Sequence, residues 1–340
     1  MSTLKLGLFP YQLRFKHPFK ISHGIRETTD VVYVRLTHDG FTAWGEATLP
    51  PYLPETQKTV IDFLSGLDIS GIQFPLNPIQ VFKDVDAKHS GNFSAKAALD
   101  MALWHLKSQI ENKDTGALLG IQSKQLPLCT YTLGVSGFAE MKAKVEEALN
   151  YGFGLFKIKL NGEGDIAALE NFRKLTDKPF AIDVNQGWKS AAEAVAIMQN
   201  IKPFNPVLIE QPLPVALNHQ MPALLQKYAI PFYADESCQT PADMDKLSGC
   251  FTGVNIKLMK CGGISRAVEM ISKARTMGLQ ILIGCMSESS VGCTAAAHLA
   301  PLADYADLDG PYLNANDPFS GMKVDNGRIK LNPLIQTKPI

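Results

Sequence analysis

From residue 126 onward the chain repeats one pattern: a short apolar run, a charge near its end, then a segment with helical spacing. Runs of this kind fall at 128–133, 155–160, 180–184, 206–210, 231–235, 253–257, 280–284 and 305–309. Short continuous apolar runs alternating with amphipathic segments predict buried parallel strands covered by helices. The helices are expected at 137–151, 165–175, 190–201, 221–228, 240–247, 264–277 and 291–302. Eight such units predict a (β/α)8-type barrel, with room for a modified last unit. A dinucleotide-binding alternative needs Gly-x-Gly-x-x-Gly between a strand and a helix, and Gly262-Gly263 lacks that spacing.

The first 120 residues read differently. Apolar alternation over 5–9, 29–37 and 42–46, with a turn at His38-Asp39-Gly40, predicts an antiparallel meander. The polar segment 19–26 reads equally as a plain hairpin connection or as a lid over a site elsewhere. A short amphipathic helix is expected at 59–67. A longer one at 94–109 presents Ala95, Ala98, Leu99, Ala102, Leu103 and Leu106 on one face, with Ser94 as its N-cap. His105 on that helix reads as a packing or surface residue. We divide the chain into an α+β domain (1–120), a barrel (125–315) and a tail (316–340). The tail's hairpin around Asn326-Gly327 is expected to return to the first domain.

Composition adds exclusions. With 33 basic and 33 acidic residues the net charge is zero, so no field favours nucleic acid or an anionic membrane. No apolar run is long enough to span a bilayer, and the first residues lack a signal-peptide pattern. Six cysteines without a CxxC pair read as free thiols in a cytoplasmic protein.

The charges at the strand ends carry the chemistry. Lys157 and Lys159 share one face of the second barrel strand, because strand side chains alternate. Asp183, Glu210 and Asp235 end the third, fourth and fifth strands; Lys257 ends the sixth, and Asp307 and Asp309 lie on the eighth. From Lys159 to Lys257 the intervals are 24, 27, 25 and 22 residues, one strand–helix unit each. One such acid alone reads as a helix cap. Three on consecutive strands repel one another and call for a cation. An all-oxygen set suits Mg2+, and Mn2+ would also be accepted. With one lysine on each side, such an ion would bind a substrate carboxylate and stabilise an enediolate. One lysine would remove the adjacent proton and the other return it to the opposite face. Lys260, off the alternating face, is read as structural.

Across nearly its whole length the chain resembles the enolase superfamily, muconate-lactonising-enzyme subgroup, and within it the dipeptide epimerases. The resemblance rests on Lys157-Ile158-Lys159, Asp183-Val-Asn-Gln-Gly187, Ile209-Glu-Gln-Pro212, Ala234-Asp-Glu-Ser237, Asn255-Ile-Lys-Leu-Met-Lys-Cys-Gly-Gly-Ile264 and Asp307-Leu-Asp-Gly-Pro311. It implies that the first domain caps the barrel. It implies Mg2+ on Asp183, Glu210 and Asp235, and catalysis by Lys159 and Lys257, with Lys159 serving the L-configured centre. Lys157 and Thr132 would contact substrate, and Asp307 and Asp309 would bind its ammonium group. The 20s segment would close over the second side chain, with Arg26 meeting an acidic one. Ile21, Ile25, Cys285 and Met286 would be apolar neighbours accepting small or hydrophobic residues. The implied reaction is 1,1-proton transfer at the C-terminal residue of an Ala-Xaa dipeptide, where Xaa is Glu or a small or hydrophobic residue. The same subgroup holds o-succinylbenzoate synthases and N-acylamino acid racemases, which stay open as alternatives. A homo-oligomer is compatible with the resemblance.

Overall fold

The computed structural model describes residues 4–21, 24–122, 126–160, 162, 165–331 and 335–337; of residues 19–21 and 24 it describes the backbone alone. The chain opens with an antiparallel meander of β1 (Lys5–Ile21), β2 (Gly24–His38) and β3 (Phe41–Leu49). β1 and β2 are far longer than their apolar alternation suggests. The segment read as a polar loop continues the ladder, with Phe19 opposite Arg26, Lys20 opposite Ile25 and Ile21 opposite Gly24. Ile25, the one described apolar side chain of this stretch, is exposed, so it contributes no inward period-two signal.

Helix Phe93–Glu111 joins the two halves of the molecule, and every residue from Ser94 to Leu106 is buried. Ala95, Ala98, Leu99, Ala102, Leu103 and Leu106 pack into the cap's core, whereas Ala97, Met101 and Trp104 enter the barrel's. The predicted face is thus one of two. Burying a side chain such as Met101 contributes roughly 1.5–3 kcal/mol, and here that gain is shared between domains. Gly45 on β3 lets the helix lie close: a Cβ there would stand 1.9 Å from the Ala98 carbonyl oxygen. Ser94 is not the cap. The N-cap position is Asn92, whose side chain makes no capping bond, and the Glu55 carboxylate accepts from the N–H groups of Ser94 (2.9 Å) and Ala95 (3.2 Å). A negative charge at the positive end of the helix does the work of a hydroxyl. His105 is a packing residue whose Nδ1 accepts from the Trp44 N–H.

The barrel strands are β4 (Thr130–Leu133), β5 (Leu155–Lys159), β6 (Phe180–Asp183), β7 (Ile209–Glu210), β8 (Phe232–Ala234), β9 (Gly253–Lys257), β10 (Gln280–Gly284) and β11 (Tyr305–Asp307). They run parallel in sequence order, and a bridge between Cys129 and Ala306 joins the first to the last. β5 and β9 are therefore four places apart, on opposite walls. The last unit is modified: β11 is followed only by the short helix Gly310–Leu313.

Two cap carboxylates clamp the halves together by capping barrel helices. Glu46 on β3 accepts from the N–H groups of Ser289 (2.9 Å) and Gly292 (3.0 Å) at the start of helix Ser290–Ala297. Asp100 accepts from the Ser265 N–H (2.9 Å) and hydroxyl (2.5 Å) at the start of helix Ile264–Thr276. Both acids are fully buried, at helix ends whose N–H groups lack intrahelical partners.

The tail divides. Ala315 and Asn316 bond to the backbone of Arg14 on β1, and Phe319 packs against Tyr33 and Trp44 of the cap. The hairpin of β13 (Lys323–Asp325) and β14 (Arg328–Lys330), which follows the short strand β12 (Phe319–Ser320), forms around Asn326-Gly327 as read. It docks on the barrel, not the cap. The Cys129 N–H donates to Gly327 O (2.8 Å), and Val324 and Ile329 join the barrel core. Its two apolar side chains and open backbone find partners at the base of β4.

Candidate active site

The C-terminal strand ends, the tip of the cap ribbon and the loop after β3 enclose a cavity of about 420 Å3. It is lined by residues from both domains, including Arg26, Tyr52, Lys159, Asp235, Lys257 and Asp309. Strand register explains the convergence: Lys159 pairs with Asp183, and Asp183 with Glu210, so neighbouring strands end at one level.

Each lysine is engaged by a carboxylate. Lys157 is buried and donates to Asp307, with Glu210 at 3.5 Å and Asp183 at 3.6 Å. Burial alone would lower its pKa, but these three acids hold it well above the ordinary value. It is therefore a fixed cation. Lys159 donates to Asp183 (2.6 Å) and to the Asn185 side-chain oxygen (2.8 Å). On the opposite wall Lys257 donates to Asp235 (2.7 Å); burial pulls its pKa down, and Asp235 and Glu210 push it up further than burial lowers it.

Glu210 is the one of the three clustered acids whose carboxyl is pushed up. Burial, then the charges of Asp183 and Asp235, push its carboxyl up to about 8, even with Lys157 nearby and Asn255 donating to it at 2.7 Å. Gly284 makes room for that amide, since a Cβ there would stand 2.3 Å from the Asn255 Oδ1. Asp235 is held well below the usual carboxylate range: burial opposes this, and Lys257 and Lys260 overcome it. Among the described residues no three acidic, histidine or cysteine side chains form a closed ion cage. The three acids lean instead on lysines and Asn255. The donor set still fits a hard divalent cation: three buried carboxylates on adjacent strands, one of them destabilised by its neighbours' charge.

The Asp307/Asp309 pair is asymmetric. Asp307 accepts from the Thr130 hydroxyl and from Lys157. Asp309 accepts from the Thr132 N–H (2.6 Å) and has no ion pair among the described residues. Burial and the charge of Asp307 push its carboxyl up to about 6.

Arg26 points into the cavity. Its Nε and Nη2 are buried without a hydrogen-bond partner, burial lowers its pKa, and the Tyr52 hydroxyl counters that. Thr132, Cys285 and Met286 line the cavity; Ile25 is exposed outside it, and the Ile21 side chain lies outside the described residues. The sequence reading missed Asn185, Asn255, Tyr52 and the contact of Lys260, which donates to the carboxylate and carbonyl of Asp235. Asn255 carried a usable signal, lying two residues before Lys257 on the same strand face. Lys260 reaches inward from the short helix Leu258–Cys261, which strand alternation does not describe.

The arrangement offers two lysines on facing walls, a fixed cation, an oxygen donor set and an isolated carboxylate. Residues 7–120 match the mandelate racemase/muconate lactonizing enzyme N-terminal domain, and residues 140–332 the enolase C-terminal domain-like family. The chain is 37% identical to the L-Ala-D/L-Glu epimerase of Bacteroides thetaiotaomicron, over 97% of this chain and 86% of that protein. The dipeptide epimerase of Enterococcus faecalis, solved with Mg and L-Leu-L-Tyr, is similar in structure (TM-score 0.87, 30% identity, 97% and 98% of the two chains). So is the N-succinyl Arg/Lys racemase of Bacillus cereus (TM-score 0.90, 26% identity, 99% and 96%). In the described residues no helix is long and apolar enough to cross a membrane. The chain belongs to the mandelate racemase/muconate lactonizing enzyme family of the enolase superfamily, as an isomerase closely related to the dipeptide epimerases.

Proposed function

We propose that this enzyme epimerises an Ala-Xaa dipeptide at its C-terminal residue, and that an acidic Xaa is preferred. The observation that carries the preference is Arg26, a guanidinium with two buried, unpartnered nitrogens at the cavity wall. An unpaired buried donor is costly, and a substrate carboxylate satisfies it with charge-assisted hydrogen bonds.

Asp183, Glu210 and Asp235 would hold Mg2+. When bound there, the ion supplies positive charge for the substrate carboxylate and for the charge that develops beside it. Lys159 and Lys257 face each other across the cavity and exchange the α-proton on opposite faces. Lys157, kept protonated by its three acids, adds a fixed positive charge at the same end. Asp307 balances Lys157, which leaves Asp309 to take the larger share of the substrate ammonium. That contact separates a free dipeptide from an N-acylamino acid, which has no ammonium to offer.

Replacing Arg26 by Met should lower kcat/KM for L-Ala-L-Glu by about 10–100-fold, the worth of a charged hydrogen bond. L-Ala-L-Ala should be nearly unaffected. Steady-state rates on both substrates check this, and an unchanged ratio would remove the acidic preference.

A second expectation concerns pH. Asp309 binds an ammonium only when ionised, and its carboxyl is pushed up to about 6. KM for dipeptides should therefore be flat well above pH 6 and rise as pH falls through it. Asp309→Asn should raise KM at pH 8 by roughly 10–100-fold and abolish that rise. If KM profiles of the two enzymes run parallel, Asp309 is not the ammonium site.

A further inference from the structure

We propose that Glu147, on barrel helix Phe138–Asn150, is a positioning residue for substrate selection: it latches the base of the β1–β2 ribbon and so fixes where Arg26 stands. The proposal rests on the reading of Arg26 as anchor for an acidic side chain.

The ribbon changes register at its base. Arg14 pairs with Thr28, but the next pair is Phe19 with Arg26. Residues 15–18 of β1 thus stand opposite Glu27 alone. A bulge of this kind bends its strand and re-aims the chain beyond it. Here it turns the ribbon toward the cavity and places the Phe15 ring 5.5 Å from the Arg26 guanidinium.

The two residues after Phe15 hold the bulge to the barrel. His17 Nε2 is 3.0 Å from Glu147 Oε2, and Lys16 Nζ is 3.6 Å from Glu147 Oε1. Lys16 also donates to the Tyr151 hydroxyl at 2.9 Å. On the other flank the Ala315 N–H donates to Arg14 O (2.7 Å), and the Arg14 N–H to Asn316 Oδ1 (2.7 Å). The base is gripped from both sides. Past it the ribbon has only two strands, and such a hairpin is marginal by itself. Its pose is set by what holds its base. Burial would push the Glu147 carboxyl up, yet His17, Lys16 and Tyr151 together hold it below its usual value, as expected of a carboxylate engaged from several sides.

Glu147 lies on the barrel helix beside β4 and does not line the cavity. It also meets the Tyr131 hydroxyl on β4, so the ribbon route is the one isolated by cutting Lys16 and His17 instead. It should alter which side chain is accepted while leaving the proton transfer intact.

The test compares Glu147→Gln, Arg26→Met and the wild type. Rates are measured on L-Ala-L-Glu and L-Ala-L-Ala, and hydrogen exchange is followed across residues 19–28. Glu147→Gln should lower the Glu-over-Ala selectivity about fivefold, the worth of one partly exposed ion pair. The loss should appear in KM for L-Ala-L-Glu, with turnover of L-Ala-L-Ala unchanged and exchange in the ribbon faster. The Lys16→Met/His17→Gln double variant, cut from the other side of the same contact, should behave alike. If Arg26→Met keeps wild-type selectivity, the substrate reading fails and the proposal with it. If Arg26→Met loses selectivity while Glu147→Gln keeps it, the latch alone is overturned.

Discussion

Lys257→Ala should abolish epimerisation in both directions, while one diastereomer of the dipeptide continues to exchange its α-proton with D2O. The expectation follows from the strand order. Lys159 ends β5 and Lys257 ends β9, four places apart in the barrel. Two bases on opposite walls reach opposite faces of one carbon, and inversion needs both. Losing one should cost roughly 10²–10⁴-fold in epimerisation, the usual share of a positioned acid or base. The remaining lysine still removes and returns the proton on its own side. Lys159→Ala should give the mirror pattern, with the other diastereomer exchanging. Lys257→Ala is the cleaner variant, because Asp235 keeps Lys260 as a partner. In Lys159→Ala the nearest remaining ammonium to Asp183 is Lys157, at 3.6 Å. NMR of each pure diastereomer in D2O reads the result. A single variant that epimerises near the wild-type rate would replace the two-base scheme with one mobile base or a water relay.

Glu210→Gln should separate activity from stability. It should weaken Mg2+ binding by more than the roughly 10–100-fold lost when an outer partner of a metal ligand is removed. Turnover should fall with it. Without metal and above pH 8, where the glutamate has given up its proton, the same variant should melt higher than the metal-free wild type, and the gain should fade as pH drops below 8. The glutamate is fully buried beside Asp183 and Asp235, and removing its charge relieves that repulsion. The amide still accepts from Asn255, 2.7 Å from the present carboxylate oxygen. Calorimetry with MgCl2 and thermal melts with and without EDTA measure both signs. Unchanged Mg2+ affinity would remove Glu210 from the proposed ligand set. A lower metal-free melting temperature would show that Lys157 and Asn255 already offset the clustered charge.

The barrel and its charged strand ends were legible because two strong physical constraints write themselves into the sequence. A strand buried on both sides must be apolar, so a lysine or acid at its end stands out. The regular interval then tells which charges share one rim. Partnership was not legible. Nothing in the spacing of Asp307 and Asp309 says that one neutralises Lys157 while the other stays unpaired. Asn185 and Lys260 act from segments just past their strands, where alternation no longer applies. Helix Phe93–Glu111 hid its second face because Ala97, Met101 and Trp104 are read against a barrel that lies far along the chain. The far end of the ribbon reads as a loop in the sequence because its one described apolar side chain, Ile25, faces outward and marks no buried face.

The crossed helix caps between the halves bear on how such a protein can be inherited. Glu46 and Asp100 belong to the first third of the chain, yet they terminate helices in the last. Against a half that lacked the matching helix start, each would be a buried carboxyl without its donors, and each barrel helix would lose its cap. The two halves are thus tied by contacts between residues 165 to 246 positions apart in the sequence. A lineage can rewrite the ribbon, which carries neither of these two caps. It cannot trade one half for a stranger's without also importing the matching end of every clasp.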